Sequence, residues 1–200
     1  MNQRIRNCAA AAGLLFTAMT ASAANYTAML TGPKEAPPNS STGMGAAFVK
    51  FDAASHVLEV DVAFGGLLGT TTAAHIHCCT DTPNTGTAGI ATETPTFGGF
   101  PLGVTSGAYS NTYNTSLAAS WNPAFLSSHG GTTAGAESAF AAGLASGAAY
   151  LNIHSSLYPT GEIRGFLTGA APPVPEPASF AMLGLGVPAM LLVARRRRKA

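Results

Sequence analysis

Three histidines and two adjacent cysteines are the side chains of this sequence best suited to chemistry. His75 and His77 stand two apart in a stretch, residues 72–78, that reads as a strand, so pleating turns both rings to one face. If the extended backbone continues, Cys79 joins them, while Ile76 and Cys78 face the other way. His154, on a second predicted strand, can share that polar surface. Three imidazoles and a thiolate suit Zn or Cu. The chain holds five histidines (His56, His75, His77, His129, His154), too few for a bimetallic centre, so the metal reading is one ion on His75, His77 and His154.

A structural reading competes with it. Asn152, His154, Glu162 and Arg164 fall on one face of a predicted hairpin, where a hydrogen-bonded network fixes register without performing chemistry. In that reading the heads of Glu162 and Arg164 meet, or pair across to Asn152 and His154. The residue types alone favour this reading, with no cofactor, over a Cu or Zn site. Cys78 and Cys79 carry three alternatives: a vicinal disulfide, a pair of metal ligands, or links between chains. Export to an oxidising compartment favours a disulfide. Neighbouring Cα atoms are only about 3.8 Å apart, closer than ordinary disulfide spacing, so the ring would make a stiff corner after His77. Other features are weaker: Ser127, Ser128 and His129 lack a nucleophile-elbow motif, and Trp121 reads as a packing residue. No phosphate-binding or nucleotide motif is present.

The elements that must position these groups are mostly strands. Residues 148–169 read as a hairpin, with Pro159 at the second and Gly161 at the fourth position of its turn. Leu151, Ile153, Ile163, Gly165 and Leu167 share one face; Tyr150, Asn152, His154, Glu162, Arg164 and Phe166 share the other. Residues 26–31 give a first strand, and 46–52 with 56–64 a second hairpin, in which Leu58, Val60, Val62 and Phe64 alternate with Glu59 and Asp61. Residues 107–117 form a further candidate strand. Residues 80–103 are rich in turn signals, and Phe97 and Phe100 within them plug one end of the core. Asn122 caps a short helix that opens on Pro123; Thr133 opens a second, carrying Phe140 and Leu144, which Gly147 stops. The fold class expected is all-β, an antiparallel sandwich or partly open barrel with one or two short helices.

The formal net charge of +1 hides an asymmetry. Residues 24–174 carry three basic residues (Lys34, Lys50, Arg164) against eight acidic ones, a net of −5, so no basic patch invites nucleic acid. At the N-terminus Arg4 and Arg6 precede an apolar run and Ala21-Ser22-Ala23, the pattern of a cleaved secretory signal peptide over residues 1–23. At the C-terminus a linker, residues 171–177, holds Pro175-Glu176-Pro177. Seventeen apolar residues, 178–194, then reach about 25 Å as a helix, enough for a thin bilayer. A basic tail, residues 195–199 with Arg195, Arg196, Arg197 and Arg198, holds that end in the cytoplasm. The domain, residues 24–170, would lie outside.

This tripartite tail resembles the PEP-CTERM sorting signal of exopolysaccharide-producing Gram-negative bacteria. The resemblance implies an inner-membrane precursor, cleavage near the triplet by an exosortase, and a domain released or attached at the cell surface. Within the domain, Leu30-Thr31-Gly32 with Glu35-Ala36-Pro37-Pro38, then Ala74-His75-Ile76-His77, then Tyr150-Leu151-Asn152-Ile153-His154 with Gly161-Glu162-Ile163-Arg164-Gly165 resemble the CHRD domain of chordin and of bacterial secreted proteins. That resemblance implies an extracellular β-module with no established catalytic role. A His-x-His strand also occurs in copper/zinc superoxide dismutases. The function expected is a non-enzymatic structural or binding module of the matrix or biofilm, partnered by exopolysaccharide or other matrix proteins. The alternatives are a metal-binding protein or oxidoreductase, and a carbohydrate-binding module.

Overall fold

The computed structural model describes residues 23–170. Almost all of the expected signal peptide, and the linker, membrane helix and basic tail expected from residue 171 onward, lie outside the described residues. Eight strands form one sheet: β1 (Ala24–Thr31), β2 (Met44–Asp52), β3 (Val57–Gly65), β4 (Thr71–His77), β5 (Gly107–Asn114), β6 (Tyr150–Ser155), β7 (Ile163–Phe166) and β8 (Thr168–Gly169). All pairings are antiparallel, in the order β4-β6-β7-β1-β2-β3-β5, with β8 also on β1. The sheet curls into a half-barrel, the partly open barrel of the two expected alternatives.

Alternation explains the half built by β1, β2, β3 and β5. Leu30, Val49, Leu58, Val60 and Val62 are buried, while Thr27, Met29, Ala46 and Ala63 between them stay exposed. The register stacks the inward positions: Phe51 faces Leu58, and Leu58 faces Tyr113. At about 1.5–3 kcal/mol per fully buried large apolar side chain, one such stripe outweighs local propensity and fixes the register.

The other half, β4, β6 and β7, is covered on both faces. Ile76, Leu151, Ile153 and Ile163 are fully buried on the core side as expected. The polar side is buried too, because the segment between β4 and β5 runs along the free edge of β4. Cys78 N–H donates to Gly89 O, Ala91 N–H to Ile76 O and Phe97 N–H to Ala74 O, while the Thr92 and Thr96 hydroxyls accept from Ile76 and Ala74 amides. An edge covered in this way is closed to other strands. The same segment delivers Phe97 and Phe100 to the end of the core, where Phe100 stacks on Phe64 with ring centres 5.5 Å apart.

Two α-helices, among the described residues, pack against the sheet. Asn122 caps α1 (Pro123–Ser128) by accepting from Ala124 N–H. The cap of α2 (Thr133–Ser146) is Thr132, one residue before the expected start, because its hydroxyl reaches Gly135 N–H. Gly147 ends α2 at φ 72°, a left-handed value that glycine adopts without steric cost. Phe140 packs edge-on to both Phe51 and Trp121, with ring centres 5.4 Å apart in each pair.

Candidate metal centre

Strand pairing brings the three histidines together. In the β4–β6 register His77 lies opposite Tyr150, His75 opposite Asn152 and His154 opposite Ala73, so all of these share one face. One ligand nitrogen from each of His75, His77 and His154 lies within 4.8 Å of the others. Among the described residues no carboxylate or thiolate joins that group.

Each ring is held by a backbone carbonyl. His75 Nε2 lies 2.6 Å from Pro95 O, His77 Nδ1 lies 2.9 Å from Ala88 O, and His154 Nδ1 lies 2.9 Å from Pro159 O. A carbonyl oxygen only accepts, so those nitrogens carry the hydrogens, and the network assigns the tautomers. Lone pairs are left on His75 Nδ1, His77 Nε2 and His154 Nε2. His75 Nδ1 and His154 Nε2 face each other at 3.3 Å, while His77 Nε2 is buried with no hydrogen-bond partner. Burial pushes His75 and His77 down to about 4, against the raising effect of their carbonyls, and burial also lowers His154. The rings are neutral at physiological pH, the form that ligates metals.

Around this cluster the polar network differs from the one expected. Glu162 meets neither Arg164 nor His154. It accepts from the Ser41 hydroxyl at 2.6 Å and from the amides of Leu68 and Gly69, tying the chain after β3 to the β6–β7 turn. Burial raises its pKa, but hydrogen bonding from Ser155, Ser41 and the Leu68 and Gly69 amides outweighs burial and holds it below the usual carboxylate range. The partner of Arg164 is Glu35, 3.9 Å away and outside the predicted hairpin. Asn152 Nδ2 donates to both Glu35 oxygens, at 3.0 and 3.1 Å. Burial pushes Glu35 up to about 7, although Arg164 and Asn152 oppose the shift. Arg164 also donates to the carbonyls of Lys34 and Gly86 and lies 4.8 Å above the ring of Tyr150. Tyr150 stacks on His77, with centroids 4.8 Å apart and planes 6° from parallel.

Cys79 does not join the histidines. Cys78 and Cys79 form a vicinal disulfide that turns the chain off the line of β4, leaving Cys78 buried and Cys79 exposed. Both sulfurs pack on Gly143 of α2, where an added Cβ would collide with them. The other two histidines sit elsewhere: His56 pairs with Glu137 at 2.8 Å, and His129 Nδ1 lies 2.7 Å from Phe125 O. Trp121 is buried and donates to Thr115 O, so it offers no exposed platform for a sugar.

A family model described as the CHRD domain matches residues 26–167. The chain belongs to the CHRD family. The three phrases that carry the family resemblance lie side by side in the fold, on β4, β6, β7 and the end of β1, and all three histidines of the candidate centre come from them. A second model, the PEP-CTERM protein-sorting motif, matches residues 173–199. The CHRD domain is therefore the exported part of an exosortase substrate, a secreted protein made as a membrane-anchored precursor. No curated protein and no solved structure matched the chain.

The sequence held no signal for the carbonyls of Ala88 and Pro95, because backbone groups in an irregular segment leave no pattern. Glu35 was visible within the CHRD phrase, but its partner Asn152 is 117 positions away.

Proposed function

We propose that this CHRD domain is a non-enzymatic metal-binding module, delivered by exosortase processing to the cell surface or its matrix. It holds one Cu or Zn ion on His75 Nδ1, His77 Nε2 and His154 Nε2. The observation that carries this reading is the pair of lone-pair nitrogens facing each other at 3.3 Å beside a buried, unpartnered third. Two acceptors at that distance repel unless a proton or a metal ion lies between them, and a register-fixing network alone would leave His77 Nε2 unsatisfied. With metal–nitrogen bonds of about 2.0–2.1 Å, a 3.3 Å separation subtends about 105–110° at the ion, close to tetrahedral. Closing the third nitrogen onto the ion takes ring movements of about an ångström. The carbonyls on the remote nitrogens orient the rings, the usual role of groups behind metal ligands.

The test is elemental analysis of the mature exported protein, stripped with chelator and dialysed against Cu or Zn. One equivalent retained by the native protein and lost in His77→Ala supports the reading. Absence of bound metal in the native protein would leave the three histidines a purely structural network.

A second reading rests on a groove of about 1160 Å³ on the outer face of β1, β2 and β3. Ala46, Ala63 and Ala108 floor it, and Phe48, Phe166, Lys34 and Asp61 border it. A shallow apolar floor with aromatic and charged borders suits an extended matrix polymer such as exopolysaccharide. Retention on the organism's own exopolysaccharide, weakened in Phe48→Ala, checks it.

A further inference from the structure

Resting on the metal reading above, the charge inventory around the three histidines points to which ion they hold. The ligands are neutral imidazoles, and no carboxylate or thiolate among the described residues joins them. The groups behind them are the carbonyls of Pro95, Ala88 and Pro159 rather than carboxylates. The protein therefore neutralises none of the charge of a bound ion. His75 and His77 are 4% and 9% exposed, and their strands are backed by the fully buried Ile76, Leu151 and Ile153. A guanidinium adjoins through the stack, Arg164 over Tyr150 and Tyr150 on His77. The two buried carboxylates nearby are engaged elsewhere, Glu35 with Asn152 and Arg164, Glu162 with Ser41 and backbone amides.

Moving an ion out of water costs in proportion to the square of its charge, so a dication meets about four times the penalty of a monocation in the same pocket. Zn²⁺ further requires a fourth ligand, which no described side chain supplies, so a water would have to be held with it in this buried pocket. We propose that this centre is selective for monovalent copper, bound by three histidine nitrogens, over Zn²⁺ and Cu²⁺. His154 is half-buried, so the ion enters and leaves past its ring.

The experiment uses the mature exported protein, stripped of metal. Cu(I) is titrated anaerobically against a colorimetric Cu(I) chelator, and Zn²⁺ against a zinc-sensitive dye in the same buffer. The expected result is one EPR-silent Cu(I) per chain, held about a thousandfold more tightly than Zn²⁺, a gap of about 4 kcal/mol. Ala73→Asp adds a carboxylate on the same face, opposite His154, and narrows that gap about tenfold. Ala73→Asn, of similar size and uncharged, leaves it unchanged. Zn²⁺ binding as tightly as Cu(I), or copper retained as four-coordinate Cu(II) under reductant, would overturn the selectivity while leaving the metal centre standing. Binding of neither ion would overturn both.

Discussion

The chemistry of this domain turns on which nitrogen of each ring is free. A carbonyl behind His75 Nε2, another behind His77 Nδ1 and a third behind His154 Nδ1 leave three lone pairs pointing inward. The pleat made His75 and His77 neighbours in the sequence reading, since residues two apart on a strand share a face. It did not show which tautomers they adopt, because that depends on carbonyls in a segment without periodicity. Pleating also placed Cys79 beside them, an expectation that fails where the vicinal disulfide turns the chain. Glu35 provides a test at this scale. Its carboxyl is raised from about 4.5 to about 7 by burial, so the folded state holds a proton that the unfolded chain has already released. Its contribution to stability is full below pH 4.5 and is lost as pH rises through 7. Glu35→Gln removes that dependence, so the variant gains on the native protein between pH 5 and pH 8 in denaturant unfolding. A difference between the two that stays flat across this range would contradict the assignment.

Elements were legible wherever an apolar stripe of the right period could be read. Leu58, Val60, Val62 and Phe64 announced β3, and Asn122-Pro123 announced α1, because each pattern answers to a local physical cause. The segment between β4 and β5 was not legible, since its backbone is satisfied by the edge of β4 and by the Thr92 and Thr96 hydroxyls rather than by itself. The contact between α2 and the disulfide was equally hidden, and it gives a sharp prediction. Gly143→Ala in a helix interior normally gains about 1 kcal/mol from propensity. Here the new methyl collides with both sulfurs, and overpacking costs about 1–3 kcal/mol, so the net effect is destabilising. Thermal unfolding should show a lower midpoint for Gly143→Ala; a raised one would mean that the disulfide yields freely. Phe140→Ala, which empties the junction of Phe51, Trp121 and α2, should cost about 3–5 kcal/mol.

At the scale of the whole molecule, export and the domain form one design. The sorting motif at residues 173–199 marks the CHRD domain as an exported one, placed in a compartment where Cys78 and Cys79 stay paired. Deleting residues 195–199 tests the expectation that their charges hold the C-terminus in the cytoplasm. Mass spectrometry of that variant should show an untrimmed C-terminus, and normal trimming would count against the role given to the arginines. Within the domain, sheet order places the CHRD phrases from β1, β4, β6 and β7 around the three histidines, although they span residues 30–165 of the chain. The most direct test of that convergence is ¹⁵N NMR of the histidine side chains while one equivalent of Cu(I) or Zn²⁺ is added. The resonances of His75 Nδ1, His77 Nε2 and His154 Nε2 should move together and saturate at one ion per chain, with His56 and His129 unchanged. Response of a different set of nitrogens, or no response at one equivalent, would contradict the metal centre.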